Sequence, residues 1–238
     1  MKVLGIDSSG LVASAAIVSE EALIAEFTIN NKQTHSQTLL PMIDQVVQMS
    51  NIALEEIDGI AVAAGPGSFT GLRIGSSTAK GIGLALDKPI ISVPTLEGLA
   101  YRMACTDGVI CPLMDARRQQ VYTVIYQMDM AGKLVCITEQ CAISVEEMIC
   151  KVNELDQKVH FLGDGVAVYR EQIVEKIAVS YDFAPIHLNR QSAASVAALG
   201  MQYLKEGKAE SAEEHRPYYL RKSQAERERE KKLQEQNA

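Results

Sequence analysis

The sequence predicts an α/β fold built on a mixed sheet with helices packed on it, followed by a second block of similar character. Three observations carry this. The first block reads βββαβαβα, the hydrophobic period changes from two to helical near residue 38, and a glycine-rich run joins a strand directly to a helix. The chain has 238 residues, 47 % of them hydrophobic and 22 % charged. That is room for one large domain or two smaller ones sharing a core, and it lies outside disordered, collagen-like and coiled-coil compositions.

The opening strands, 3–6, 11–18 and 22–29, are separated by Ser, Gly and a Glu pair and read as an antiparallel meander. From 38 to 49 Leu40, Ile43 and Val47 form one helical stripe, and Leu39, Met42, Val46 and Met49 form a second beside it. Two adjacent stripes are wider than one helix needs to cover a sheet, so Leu39, Met42, Val46 and Met49 are expected not to be all buried within one subunit, their excess meeting another chain. Pro41 fits the first turn if Thr38 caps the helix, whereas a start at Ser36 forfeits one hydrogen bond. Strand 59–64 leads into GPGSFTGLRIG at 65–75 and a helix to 86. There Gly75, Ala79 and Gly83 recur every fourth residue. Interior helical glycines cost about 1 kcal/mol each relative to Ala, so this stripe is expected to gain tight packing against a partner helix. Strand 90–93 and a helix at 95–103 close the block.

The second block begins with strand 109–114, the loop DARR at 115–118 and strand 120–126. Strand 134–137, helix 144–152, strand 159–162, the turn GDG, helix 166–175 and strand 177–179 complete it. The Ala-rich helix 192–203 can return to the first block. The charged segment 223–238 reads as a solvated helix or frayed tail, with Glu228 and Lys232 at pairing distance in sequence.

Twenty-three basic and 30 acidic residues leave a net charge of -7, which opposes non-specific adhesion to a phosphate backbone while allowing a local basic patch. With no Trp and 5 % aromatics, the surface is a poor platform for stacking bases. Five cysteines without a CxxC pair are expected to be reduced core residues, neither a disulfide framework nor a Cys-rich zinc site. MKVLGIDSS turns polar too soon for a signal peptide, and no apolar run reaches the roughly 18 residues of a membrane span, so the expected location is cytoplasmic.

Asp7, at a strand end before Ser8, could hold a hydrated Mg²⁺ with Ser8 meeting phosphate, or both could satisfy the turn backbone. GPGSFTGLRIG, with four glycines in eleven residues, can present N–H groups to an anion beside Arg73, or be a demanding strand-to-helix turn. It matches neither GxxxxGK[ST] nor GxGxxG. His35 stands at a loop-to-helix boundary, where it can touch a ligand or cap the helix; His160 reads as a core histidine. No HExxH, HxxxH or GxSxG pattern occurs. Asp115, Arg117 and Arg118 form a charged turn that could reach RNA phosphate or a partner carboxylate, or simply pair along a hairpin rim.

GIDSS at 5–9, HSQTLLPMI at 35–43, IAVAAGPGSFTGLRIG at 60–75, AKGIGLAL at 79–86, DARRQQVY at 115–122, GDG at 163–165 and PYYLR at 217–221 together resemble the bacterial TsaB (YeaZ) family. The resemblance implies an actin- and Hsp70-like (ASKHA) duplicated RNase-H-like fold with mixed five-stranded sheets. Its first lobe would be 1–104 plus about 190–222, its second 105–189, with 223–238 a charged tail. It implies a non-catalytic subunit that pairs with TsaD, the enzyme installing threonylcarbamoyl on tRNA adenosine 37, through helices 38–49 and 70–86. The ATPase TsaE would join the pair, and tRNA would be met through the complex. ATP and metal would belong to those partners, with no cofactor held tightly by this chain, and alone it could form a homodimer through the same patch. Where the catalytic relative carries HxEGH, this chain reads Thr95, Leu96, Glu97, Gly98, Leu99, so both imidazoles are gone and no metal centre is expected. The competing expectation is an independent nucleotide-binding, ATPase-like enzyme using Asp7 and the glycine run.

Overall fold

The computed structural model of the chain describes residues 1–31 and 33–221. In the first sheet β1 (Lys2–Asp7), β2 (Ala13–Ser19) and β3 (Leu23–Ile29) form the antiparallel meander. Then follow α1 (His35–Ser50), β4 (Gly59–Gly65), α2 (Phe69–Leu86), β5 (Ile90–Pro94) and the short α3 (Thr95–Ala100). The sheet order is β3-β2-β1-β4-β5, with β4 parallel to both β1 and β5. The inner strands β1 and β4 are covered on both faces, which is why VLGI and GIAVAAG are almost continuously apolar.

Further along, β6 (Val109–Arg117), β7 (Gln120–Thr123), β8 (Tyr126–Met128), β9 (Leu134–Cys136) and β10 (Cys141–Ser144) precede α4 (Val145–Glu154), β11 (Val159–Leu162), α5 (Asp164–Lys176) and β12 (Tyr181–Phe183). These strands make a seven-stranded sheet of order β10-β7-β6-β11-β12, with β8 paired to β6 and β9 to β8. Finally α6 (Ala193–Lys205) returns to the first sheet and covers it through Val196 and Ala197, packed with Val3, Ala61 and Val93. On the opposite face α1 and α2 pack over Leu4, Ile6, Ile17 and Ile60. This is the actin/Hsp70-like architecture.

Several expectations need correction. The second sheet has seven strands because the 120–126 run breaks after Thr123 and because 141–144, whose apolar run is only three residues long, pairs with β7. The DARR segment is not a loop: β6 continues through Arg117, and the reversal lies at Arg117, Arg118 and Gln119, all with positive φ (63°, 56° and 59°). The last strand lies at 181–183, since the Ile177 N–H closes α5 on the carbonyl of Ile173. Cys105, Cys136 and Cys150 are exposed and only Cys111 is fully buried. Helix α1 starts at His35, which leaves Pro41 in its second turn on an exposed position.

The two proposed interface stripes are also corrected. Leu39, Met42 and Val46 are 1–3 % exposed and belong to the first core; of that set only Met49 is open, at 73 %. A helix lying across both β2 and β3 uses a broad apolar face itself. Gly75, Ala79 and Gly83 face inward as well. A Cβ at Gly75 would stand 2.5 Å from the Ser8 hydroxyl, Ala79 is fully buried, and Gly83 packs against Ile90 and Ala212. The small residues let α2 lie close on its own sheet. The tail 223–238, with Glu228 and Lys232, lies outside the described residues.

Candidate functional site

The glycine run is folded onto the chain's own backbone. Ser68 caps α2, its hydroxyl accepting from the Gly71 N–H at 3.3 Å, while its own N–H donates to the Ser9 carbonyl at 2.6 Å. The Ser8 hydroxyl donates to the Gly71 carbonyl at 2.8 Å, and a Cβ on Gly71 would overlap the Ser8 carbonyl oxygen. Gly65, with φ of 124°, passes so close beneath the Tyr218 carbonyl that a side chain there would collide with it. The Gly65 N–H donates to the Thr95 hydroxyl at 3.1 Å. The Gly65, Ser68 and Gly71 N–H groups are therefore used within the chain, and the run is a strand-to-helix turn folded tightly onto Ser8 and Ser9.

Asp7 is buried, and its Oδ1 accepts from the Ser9 N–H at 2.9 Å and the Ser9 hydroxyl at 2.6 Å. Burial pushes its carboxyl up to about 6, against the opposing pull of the two Ser9 bonds and of His35. Asp7 thus closes the β1–β2 turn through Ser9, while the Ser8 hydroxyl is used on α2. At the head of α1, His35 places Nε2 2.8 Å from the Gly10 carbonyl oxygen. His160 is the expected core histidine, with Nε2 2.7 Å from the Asp107 carbonyl oxygen.

Between the two sheets lies a cleft of about 400 Å³, bordered by Ser9, Gly67 and Ser68 on one side and Asp115, Arg117, Asp164 and Arg190 on the other. Asp115 accepts from the Tyr169 hydroxyl (3.0 Å) and the Arg117 N–H (2.8 Å), and Asp164 accepts from the Asp115 N–H (3.1 Å). Burial raises the Asp164 carboxyl above the ordinary carboxylate range. Arg117 is 82 % exposed and reaches Asp115 at 3.4 Å, and Arg118 is exposed. Two carboxylates, Asp115 and Asp164, and two guanidinium groups, Arg117 and Arg190, line the cleft, so its charge is balanced.

The positions of the missing imidazoles have structural occupants. Thr95 holds Gly65, Leu99 is buried between the sheets, and Glu97 accepts a 2.7 Å bond from the Tyr203 hydroxyl, its carboxyl raised by burial. Among the described residues no group of three His, Cys, Asp or Glu side chains could hold a metal ion.

Arg73 is not directed into the cleft. Its guanidinium lies 4.1 Å from the Phe69 ring centroid and donates to the Tyr219 hydroxyl at 3.3 Å, while Phe69 and Tyr219 stack at 4.5 Å. This cluster borders a groove of about 500 Å³ between α1 and α2, shared with His35, Leu40 and Ser77. Residue-by-residue sequence reasoning missed Phe69 and Tyr219; the only signal for the latter was the PYYLR motif.

A family model described as TsaD, tRNA N6-adenosine threonylcarbamoyltransferase, matches residues 22–229. The tRNA threonylcarbamoyladenosine biosynthesis protein TsaB of Bacillus subtilis is 32 % identical over 228 residues, covering 95 % of this chain and 96 % of that protein. The chain belongs to the TsaB family. The crystal structure of a YeaZ-like protein from Pseudomonas aeruginosa superposes with a TM-score of 0.77 at 26 % identity, covering 92 % of this chain and 99 % of that one. The fold alone extends to the ethanolamine utilization protein EutJ of Carboxydothermus hydrogenoformans, with a TM-score of 0.54 at 12 % identity over 84 % of this chain and 90 % of that one. As a TsaB-family member the chain is a non-catalytic partner in tRNA modification.

Proposed function

We propose that this chain heterodimerises with TsaD through the outward faces of α1 and α2, and that the pair takes up TsaE to modify tRNA adenosine 37 in the cytoplasm. ATP and metal are held by those partners. The observation that carries the interface is the exposed side of α2, where Ser77, Gly81 and Ala85 recur every fourth residue and a Cβ on Gly81 would meet nothing within 4 Å. A partner helix can lie close to such a surface. Leu40, Met49 and Leu84, 59 %, 73 % and 54 % exposed, add apolar area on the same two helices. Without TsaD, a second copy covers this face. The lobes divide as 1–104 plus about 190–222 and 105–189. Arg117 and Arg118, on the exposed β6–β7 turn, are the groups we assign to tRNA phosphate.

The test is calorimetric titration of Gly81→Arg and Leu40→Asp against TsaD, with denaturant unfolding of each variant alone. Misfit in a packed contact costs about 1–3 kcal/mol, so the dissociation constant should rise roughly tenfold to more than a hundredfold, with unfolding little changed. Wild-type affinity in both variants would overturn this interface.

A further inference from the structure

We infer that residues 210–221 form a strap that locks the two lobes at one fixed opening. After α6 the chain turns back and pairs with the edge strand β5, the N–H groups of Ile90 and Glu210 each donating to the other's carbonyl at 2.9 and 3.0 Å. Glu210 accepts from the Ser92 hydroxyl at 2.6 Å and lies 2.9 Å from His215 Nδ1, while Ala212 enters the first core. The Lys80 ammonium, on α2, donates to the carbonyls of Glu213 (3.2 Å) and His215 (3.1 Å). The strap then crosses the end of β4, where the Tyr218 N–H donates to the Ala64 carbonyl at 2.7 Å, and stacks Tyr219 on Phe69. It ends on the other lobe, with the Arg221 guanidinium donating to the carbonyl of Ala116, a residue lining the cleft, at 3.1 Å.

A second tie lies elsewhere. Leu96, Leu99, Ala100 and Met103 of the first lobe share a buried cluster with Ile110, Met114, Val124, Tyr126 and Leu162 of the second. Polar ties away from the cleft also join the two bodies, Lys133 to Glu206 at 3.1 Å and the Arg102 guanidinium to the Leu188 carbonyl at 3.1 Å. The tie at Ala116, anchored on the far side to β5, α2 and β4, adds one at the mouth of the cleft, where the opening is set. Two-lobed folds that work by hinge closure need the segments that bridge them free to bend; here the bridging arm is pinned to the first sheet along its length. The strap also seats its Tyr218 carbonyl against Gly65, so the glycine run is held from both the strap and the Ser8–Ser9 turn.

The experiment measures the opening directly by pulsed electron paramagnetic resonance on the full chain. Nitroxide labels go on Leu11→Cys and Val168→Cys, exposed residues on the two walls of the cleft. Cys105, Cys136, Cys141 and Cys150 are replaced by Ser, and the buried Cys111 is kept. We expect one narrow distance distribution, broadened or shifted to longer distance by Arg221→Ala and further by Tyr219→Ala. Circular dichroism melts check that each variant is folded. Should Tyr219→Ala fail to fold, Arg221→Ala alone decides, because it removes a single hydrogen bond at the strap's end. A broad or two-peaked distribution in the parent, or one that Arg221→Ala leaves unchanged, would overturn the lock.

Discussion

Asp7 shows how burial decides between two chemistries that one residue could serve. Its position before Ser8 and Ser9 left both a metal-facing and a turn-closing role open, because a sequence does not say whether the second oxygen sees solvent or protein. The fold fills the surroundings with the glycine run and leaves the carboxyl raised from 3.8 to about 6. The native state therefore binds more protons than the unfolded chain between about pH 4 and pH 6, and stability contributed by this group falls as pH rises through that window. A shift from 3.8 to about 6 corresponds to on the order of 3 kcal/mol. Asp7→Asn keeps an oxygen for the Ser9 donors and removes the charge. It should raise the unfolding free energy at pH 7.5 by up to that amount and change little at pH 3.5, as measured by urea unfolding at both values. A variant that is less stable than the parent at pH 7.5 would mean the charge is used by a group facing Asp7.

At the scale of the element, α2 contains two four-residue stripes of small side chains, and they differ in what lies opposite. A Cβ added at Gly75 would stand 2.5 Å from the Ser8 hydroxyl and one at Gly83 2.9 Å from the Ile90 side chain, whereas at Gly81 it would enter open space. Gly83→Leu should therefore lower the unfolding free energy by about 1–3 kcal/mol, while Gly81→Ala should leave it unchanged or raise it by up to about 1 kcal/mol through helix propensity. Chemical denaturation of the two variants side by side checks this, and equal stabilities would show that α2 sits less tightly than its geometry implies. Spacing alone revealed that α2 has a close-packed face, but both stripes have the same period, so which one meets the sheet is set by the rotation of the helix on β4. The same limit applies to α1. Leu39, Met42 and Val46 were legible as apolar, and their assignment to a partner failed because a helix spanning β2 and β3 needs all of them.

For the whole molecule, the first sheet was legible nearly strand by strand, since its inner strands are long, apolar and bounded by turn residues. The second was legible only in part: strands 109–114, 134–137 and 159–162 answer to β6, β9 and β11, whereas β8, β10 and β12, of three or four residues each, were merged, missed or misplaced because their pairing is set by neighbours. The site divided in the same way. The absence of imidazoles at Thr95 and Leu99 was readable only through the family resemblance, and what those side chains do was not, because Leu99 gains its role from the opposite sheet. It is 1 % exposed and sits among Ile110, Met114 and Leu162 of the second lobe. That placement makes Leu99 part of the cooperativity of the molecule as well as of its stability. Leu99→Ala should cost about 2–5 kcal/mol, as buried leucines do when the cavity does not collapse. Because the lost contacts join the lobes, unfolding should also cease to be all-or-none, so that the van't Hoff enthalpy drops below the calorimetric one. Leu4→Ala is the control: Leu4 is equally buried but lies wholly within the first core, and its loss should lower the melting temperature without separating the lobes. If Leu99→Ala melts in one transition with equal enthalpies, as the control should, the lobes are held together by ties other than this cluster.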